Sequence, residues 1–111
     1  MLLDTSVLQQ SCGGDDEFAR ELFGEYHTRV LELLPLMQEK LSQGKLDELR
    51  KVAHEMKGSS LTLGASEIAR LSRSIEEACS SGKADPLAGY IAELNQQAEA
   101  LFEHLRGLSY L

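Results

Sequence analysis

The sequence predicts an all-α fold, an antiparallel four-helix bundle with a short extra N-terminal helix. Three observations support this fold class. Leu is the dominant apolar residue and aromatic residues make up only 5% of the chain, a composition that favours helices over sheets. Apolar residues recur every three or four positions, and no strand-like alternation interrupts them. Glycine- and proline-containing breaks separate the periodic segments.

Length and charge restrict the class of protein further. A chain of 111 residues forms one domain, residues 1–111, with a core of modest size. The formal net charge of −7 argues against a nucleic-acid binder. The two cysteines, Cys12 and Cys79, are too few for a disulfide framework or a zinc motif and are typical of a reducing compartment.

No targeting or membrane segment is predicted. The first residues lack a basic stretch followed by an apolar run, which a signal peptide would require. The most apolar stretch, residues 30–37, is far shorter than the ~20 residues of a membrane span. We therefore expect a cytoplasmic protein without membrane insertion.

The first helix is predicted to be short. Asp4 can cap one or two turns that carry Val7 and Leu8, because a short side-chain oxygen accepts from the free amides of a first turn. Gly13 and Gly14 follow, and glycine readily adopts the conformation that ends a helix. This segment is the extra helix that precedes the bundle.

The second helix is predicted to be long and bent. Acidic residues 15–17 suit a helix N-terminus. Helical spacing then extends over about 25 residues, with apolar positions at Phe18, Leu22, Tyr26, Val30, Leu33, Met37 and Leu41. Pro35 lies within this helix, and we expect a kink near Leu31, whose carbonyl loses its amide partner.

The third, fourth and fifth helices carry narrow apolar seams. The third seam consists of Leu46, Leu49, Ala53, Met56, Ser60 and Leu63. The fourth helix follows Gly64, with Ser66 as the expected cap, and its seam consists of Ile68, Leu71, Ile75 and Ala78. The fifth is expected to have Asp85 as N-cap and Pro86 at its first position, and its seam consists of Leu87, Ile91, Leu94, Ala98, Leu101, Leu105 and Leu108. Four amphipathic helices with short connections favour an antiparallel bundle.

The third helix carries the candidate chemistry. Because its seam faces the core, His54 must point to solvent, and Leu61 lies on the same outer side. The surface neighbours of His54, three or four residues away, are Arg50, Lys51, Lys57 and Gly58. The three cations favour a neutral, nucleophilic imidazole and suit a dianionic phosphoryl group.

Each of these features alone has an ordinary explanation. An exposed histidine or a cluster of Lys and Arg usually belongs to a solvated helix face. Gly58, however, lies in a helix interior, where glycine costs roughly 1 kcal/mol relative to alanine. Its missing Cβ leaves room for a partner to approach the imidazole. The combination of features favours a functional site.

The residues around His54 also resemble a known signature. Residues 53–60, Ala-His-Glu-Met-Lys-Gly-Ser-Ser, with Leu-Gly-Ala at 63–65, are similar to the signature of histidine-containing phosphotransfer (HPt) domains. The resemblance covers essentially the whole chain, including the Gly-Gly-Asp-Asp-Glu-Phe segment at 13–18. Met56 departs from the pattern, since family members more often carry Leu there. The resemblance implies a four-helix-bundle phosphocarrier of a multistep two-component relay.

The resemblance also implies roles for individual residues. His54 matches the phosphoacceptor and Lys57 the cation beside the phosphoryl group. On the next helix, Glu76 is the candidate that orients the imidazole, because its carboxylate could accept from Nδ1–H and leave Nε2 as the nucleophile; an ordinary solvated acid is the alternative. The expected docking surface for a partner consists of Arg50, Lys51, Gly58 and Leu61.

The expected activity is that of a carrier and not of an enzyme. His54 would exchange a phosphoryl group with aspartates of response-regulator receiver domains, and the other partner would be a sensor or hybrid histidine kinase. No nucleotide motif or metal-ligand spacing occurs in the sequence, so we expect no cofactor, with Mg²⁺ on the partner receiver domain only. A monomer is expected, and His27 and His104 are interpreted as structural.

Two other functions remain open from the sequence. One is an adaptor of the same fold that docks receiver or kinase domains without being phosphorylated. The presence of both His54 and Lys57 argues against it. The other is a general helical interaction protein that uses its seams for partner helices.

Overall fold

The computed structural model describes residues 3–111, without the side chains of Leu8 and Ser11. It contains five helices and, within the described residues, no strand. The helices are α1 (Thr5–Cys12), α2 (Asp16–Ser42), α3 (Leu46–Leu63), α4 (Ser66–Ser80) and α5 (Leu87–Gly107). The predicted all-α fold is confirmed. The predicted packing of Leu8 lies outside the described residues.

The four long helices form a ring. α2 packs on α3, α3 on α4, α4 on α5 and α5 back on α2, whereas the short α1 contacts α2 and α3. Tyr26 pairs with Ser60 and Arg29 with Glu55. The later residue of α2 thus contacts the earlier residue of α3. These two helices are therefore antiparallel, as an up-and-down bundle requires.

The predicted seams form the core, with two exceptions. The largest fully buried side chains are Phe23, Leu33, Met37, Leu49, Met56, Ile68, Leu71, Ile75, Leu87, Ile91, Leu94 and Leu101. Phe18 and Leu108 are exposed, so their prediction as seam residues is wrong. Phe18 lies in the first turn of α2 and Leu108 follows the last residue of α5, and at these ends the neighbouring helices offer less cover.

The first two helices begin as predicted. The Asp4 carboxylate accepts from the Ser6 amide at 3.0 Å, and the Asp15 carboxylate accepts from the Phe18 amide at 3.1 Å. Gly13 ends α1 in the left-handed conformation, at φ 59°. α2 then continues through Pro35 to Ser42 without interruption. The kink expected near Leu31 stays a prediction.

The starts of α4 and α5 differ from the prediction by one residue. Ala65 is the N-cap of α4, and the Ser66 hydroxyl donates to the Gly64 carbonyl at 3.3 Å instead of accepting from an amide. Pro86 is the N-cap of α5. In the turn before α5 the Leu87 amide donates to the Ala84 carbonyl at 3.1 Å. Asp85 and Pro86 therefore belong to this turn, and the helix begins at Leu87.

A buried polar pair joins α2 to α3. The hydroxyls of Tyr26 and Ser60 lie 2.7 Å apart in the core, and each satisfies the other, as buried polar groups require. Burial raises the pKa of Tyr26 to about 12, although the hydrogen bond to Ser60 acts in the opposite direction. The pair fixes the register of α3, the helix that carries His54.

The turn between α3 and α4 is tied to the N-terminal segment. Gly64 has φ +77°, a left-handed conformation that glycine adopts at little cost. Its carbonyl accepts from the Asp4 amide at 2.6 Å. A Cβ at this position would lie 2.5 Å from the Asp4 carbonyl oxygen. The backbone of Asp4 therefore occupies the space that a side chain at position 64 would need.

Gly64→Ala is expected to destabilise the domain more than Gly82→Ala does. Gly82 is the matched control, since its φ is +68° but a Cβ there would meet nothing within 4 Å. Left-handed backbone alone costs an alanine roughly 1–2 kcal/mol, and displacement of the Asp4 backbone adds roughly 1–3 kcal/mol. Urea unfolding of both variants measures the difference. Equal losses would show that contact with Asp4 does not constrain Gly64.

Candidate functional site

α3 presents His54 to solvent. Leu49, Ala53 and Met56 are buried, so position 54 lies on the opposite, solvent-facing side of the helix. The His54 side chain is 68% exposed. A reaction partner can reach this imidazole without any rearrangement of the bundle.

Glu76 stands beside His54 at the edge of the α3–α4 interface. Its neighbours on α4, Ile75 and Ala78, are buried, which brings the Glu76 side chain against α3 with only 14% exposed. One carboxylate oxygen, Oε2, lies 2.9 Å from His54 Nδ1. An ionised carboxylate can only accept, so this contact holds the proton on Nδ1 and leaves the lone pair on Nε2.

Lys57 completes the cluster from one turn further along α3. Its Nζ lies 2.8 Å from the other carboxylate oxygen, Oε1, of Glu76. Burial raises the pKa of Glu76, but the contacts with Lys57 and His54 outweigh it, and the pKa is lowered overall. The Glu76 carboxylate is therefore ionised at neutral pH and bridges both side chains.

The electrostatic surroundings of His54 differ from the predicted set of three cations. The charge of Lys57 is paired with that of Glu76. Burial raises the pKa of the Cys79 thiol, and the charge of Arg50 partly opposes this rise. The charge of Arg50 is therefore felt by a side chain of α4 as well as by His54. The carboxylate nearest to the ring compensates part of the positive charge that the sequence places around His54.

The sequence interpretation missed two cations on α4. Arg70 and Arg73 line a shallow groove beside the site, together with Lys57, Leu61, Ser66 and Ala69. Their spacing could have revealed them, because positions 70, 73 and 76 follow at three-residue steps and share a helix face with Glu76. Each arginine also has an acidic partner, Glu67 for Arg70 and Glu77 for Arg73.

The outer surface of α3 is open beside the imidazole. A Cβ added at Gly58 would meet nothing within 4 Å, and Leu61 is 57% exposed. Lys51 is exposed and Arg50 is half-buried. These four residues, Arg50, Lys51, Gly58 and Leu61, are the docking surface expected from the sequence, and we call them the docking face; their role in docking stays a prediction.

The other two histidines lie apart from the cluster. The His27 ring packs edge-on against Phe102, with ring centroids 4.5 Å apart. His104 is exposed in the last turn of α5. Within residues 3–111, no three His, Cys, Asp or Glu side chains are grouped closely enough to hold a metal ion. In that same range, no helix combines the length and the apolar character that crossing a bilayer would require.

The fold and the site define a helical bundle that exposes one carboxylate-held imidazole. The family model of the Hpt domain matches residues 21–104, which include α3, α4 and the whole His54 cluster. The chain therefore belongs to the Hpt domain family, and the resemblance stated from the sequence is confirmed.

A curated relative agrees with this family. The phosphorelay intermediate protein rdeA of Dictyostelium discoideum is 28% identical to this chain over 102 residues. The match covers 92% of this chain but only 40% of rdeA. This chain therefore spans less than half of the length of the relative.

Glu76→Ala is expected to change the tautomer of His54. In the parent the carboxylate favours Nδ1–H, and without it the ratio of the two neutral tautomers should move towards Nε2–H by about tenfold, the effect of one charge-assisted hydrogen bond. Nitrogen NMR of the imidazole at mildly alkaline pH measures this ratio. Glu77→Ala, which removes the exposed neighbouring acid, should leave it unchanged. An unchanged spectrum for Glu76→Ala would assign the orientation of the ring to another group.

Proposed function

We propose that the chain is a phosphorelay carrier whose His54 accepts a phosphoryl group from, and donates it to, aspartates of response-regulator receiver domains. The observation that carries the proposal is the exposed imidazole whose Nδ1 is held by Glu76 at 2.9 Å. This contact makes Nε2 the nucleophile. Membership of the Hpt domain family and the name of the relative, phosphorelay intermediate protein, support the same function.

The transfer needs position and charge more than covalent help from the protein. The Nε2 lone pair attacks phosphorus, the P–O bond of the aspartyl phosphate breaks, and its electron pair returns to the carboxylate. The new P–N bond stores the phosphoryl group until a second aspartate attacks. Rates in such reactions depend on alignment and on neutralisation of the phosphoryl oxygens. In this proposal the alignment comes from His54, and the neutralisation of the phosphoryl oxygens comes from Lys57.

The partners follow from this chemistry. A receiver domain would bring its aspartate, an acidic pocket and Mg²⁺, and this chain would bring no cofactor of its own. Arg50 and Lys51 of the docking face would offset repulsion between this acidic chain, with its net charge of −7, and an acidic receiver site. A sensor or hybrid histidine kinase would supply the phosphoryl group, since the proposal assigns no kinase activity to this chain.

The proposal includes a monomeric carrier in the cytoplasm that binds no nucleic acid. The two free thiols are consistent with a reducing compartment. A non-phosphorylated adaptor that only docks receiver or kinase domains is the alternative. The bridging of His54 and Lys57 by one carboxylate favours the carrier, because docking alone would not require an oriented imidazole.

His54→Gln is expected to abolish phosphoryl uptake while the helical content is retained, since most of the side chain is exposed to solvent. Incubation with a panel of phosphorylated receiver domains, followed by gel detection of the labelled chain, measures uptake. His27→Gln and His104→Gln are the matched controls and should still be labelled. A labelled His54→Gln variant would contradict the proposed function and favour the adaptor.

Substitutions at Gly58 are expected to affect the stability of the domain and the rate of phosphoryl transfer differently. Gly58→Ala should stabilise the domain by roughly 0.5–1 kcal/mol, because alanine reduces the entropy of the unfolded chain. Gly58→Gln should also fold, yet transfer should slow as the side chain grows, since small errors of position are costly in such a reaction.

Gly89 in α5 is the matched control for this series. It too is exposed, and a Cβ there would meet nothing within 4 Å, but α5 does not pack against α3. Thermal melting and stopped-flow transfer rates are compared for Ala and Gln at both positions. Equal transfer rates for the parent and a folded Gly58→Gln variant would show that the partner does not approach over Gly58.

A further inference from the structure

The Glu76 carboxylate lies within hydrogen-bond distance of the ring nitrogen that does not take part in transfer, Nδ1 of His54. Before transfer the proton is on Nδ1, facing Oε2 of Glu76 at 2.9 Å. When the Nε2 lone pair bonds to phosphorus, the ring retains that proton and becomes an imidazolium. A phosphorylated ring can then lose the proton from Nδ1 and become neutral. The environment of Nδ1 selects between these two forms.

We propose that Glu76 keeps Nδ1 protonated throughout the phosphorylated state and thereby holds phospho-His54 in its more reactive form. This inference rests on the proposed function and adds a positioning role for a residue that never touches the phosphoryl group. It makes Glu76 the residue that sets the transfer potential and the lifetime of phospho-His54.

The reactivity follows from the leaving group. When a nucleophile oxygen, from an aspartate or from water, bonds to phosphorus, the P–N bond breaks and its electron pair goes to Nε2. A ring protonated at Nδ1 then leaves as neutral imidazole. A ring without that proton would leave as imidazolate, a far stronger base and a poorer leaving group. Retention of the Nδ1 proton therefore accelerates both transfer and hydrolysis.

The geometry keeps the carboxylate in place. The Glu76 side chain is almost covered by the α3–α4 interface, and its second oxygen is held by Lys57 at 2.8 Å. A deprotonated Nδ1 would direct a lone pair at a carboxylate oxygen within hydrogen-bond distance, which is repulsive, whereas Nδ1–H donates to it. Loss of the proton is thus opposed by a group that cannot readily turn away.

The other charged groups around His54 act in both directions. The cations of α3 and α4 favour loss of the ring proton, whereas the acids favour its retention. On the α2 side, Arg29 is engaged by Glu55, with contacts at 2.5 and 2.8 Å, and by Glu32 at 3.0 Å. α1 has no charged residue. Besides Glu76, the charged groups of α3 one turn from His54 are Arg50, Lys51 and Lys57. On α4, Arg73 and Glu77 lie beside Glu76 and Lys57, but Glu77 is exposed and its charge is paired with that of Arg73.

The test is the pH profile of phosphohistidine hydrolysis. The parent, Glu76→Gln and Glu77→Gln are phosphorylated with phosphoramidate, a small donor that needs no partner protein. Phosphorus NMR then follows loss of the signal that is absent from His54→Gln. Glu76→Gln keeps the shape of the side chain and an oxygen acceptor but removes the charge. Glu77→Gln removes the same charge from the adjacent, exposed position on α4.

The midpoint of the profile should fall by about one pH unit in Glu76→Gln, so that hydrolysis on the alkaline side slows by about tenfold. Glu77→Gln should follow the parent. An unchanged midpoint in a folded, phosphorylated Glu76→Gln variant, or an equal fall in Glu77→Gln, would overturn this inference and leave the carrier function intact. A parent without a phospho-His54 signal would overturn the proposed function and this inference with it.

Discussion

The packing of α3 against α4 determines the geometry of the site, because it brings an imidazole and an ammonium group of one helix to a carboxylate of the other. His54 and Lys57 belong to α3, and Glu76 belongs to α4. The buried seams of these helices fix how they turn towards each other, so the 2.9 Å and 2.8 Å contacts of Glu76 are consequences of apolar packing. A bundle that packed loosely here would keep its histidine but lose the orientation of the ring.

Much of this arrangement could be predicted from the sequence, since a strict seam on α3 leaves only one direction for His54. The helix pattern, the exposure of position 54 and the choice of Glu76 as a neighbour needed only periodicity and the family resemblance. The helix starts were less predictable. Backbone bonds in the turns before α4 and α5 compete with side-chain capping, and they displaced the roles expected of Ser66 and Pro86 by one residue.

The charges around the imidazole could not be predicted from one helix alone. Spacing along α3 identifies Arg50, Lys51 and Lys57, but it cannot show which of them has a partner on another element. Lys57 is paired across the interface, and the further cations Arg70 and Arg73 come from α4. The local potential is thus a property of the helix pair, whereas a helix-by-helix interpretation overestimates the positive charge at the ring.

The low exposure of Glu76 explains why one carboxylate can control an imidazole that is itself mostly in water. An ion pair between two exposed side chains contributes little, because solvent screens it and both chains lose freedom. Here only the His54 side chain is largely exposed to solvent. The Glu76 side chain is covered by packing and held by Lys57, so folding of the bundle has already fixed its position. The interaction therefore adds little to stability. It acts on direction and protonation, which are the properties of the ring that phosphoryl exchange depends on.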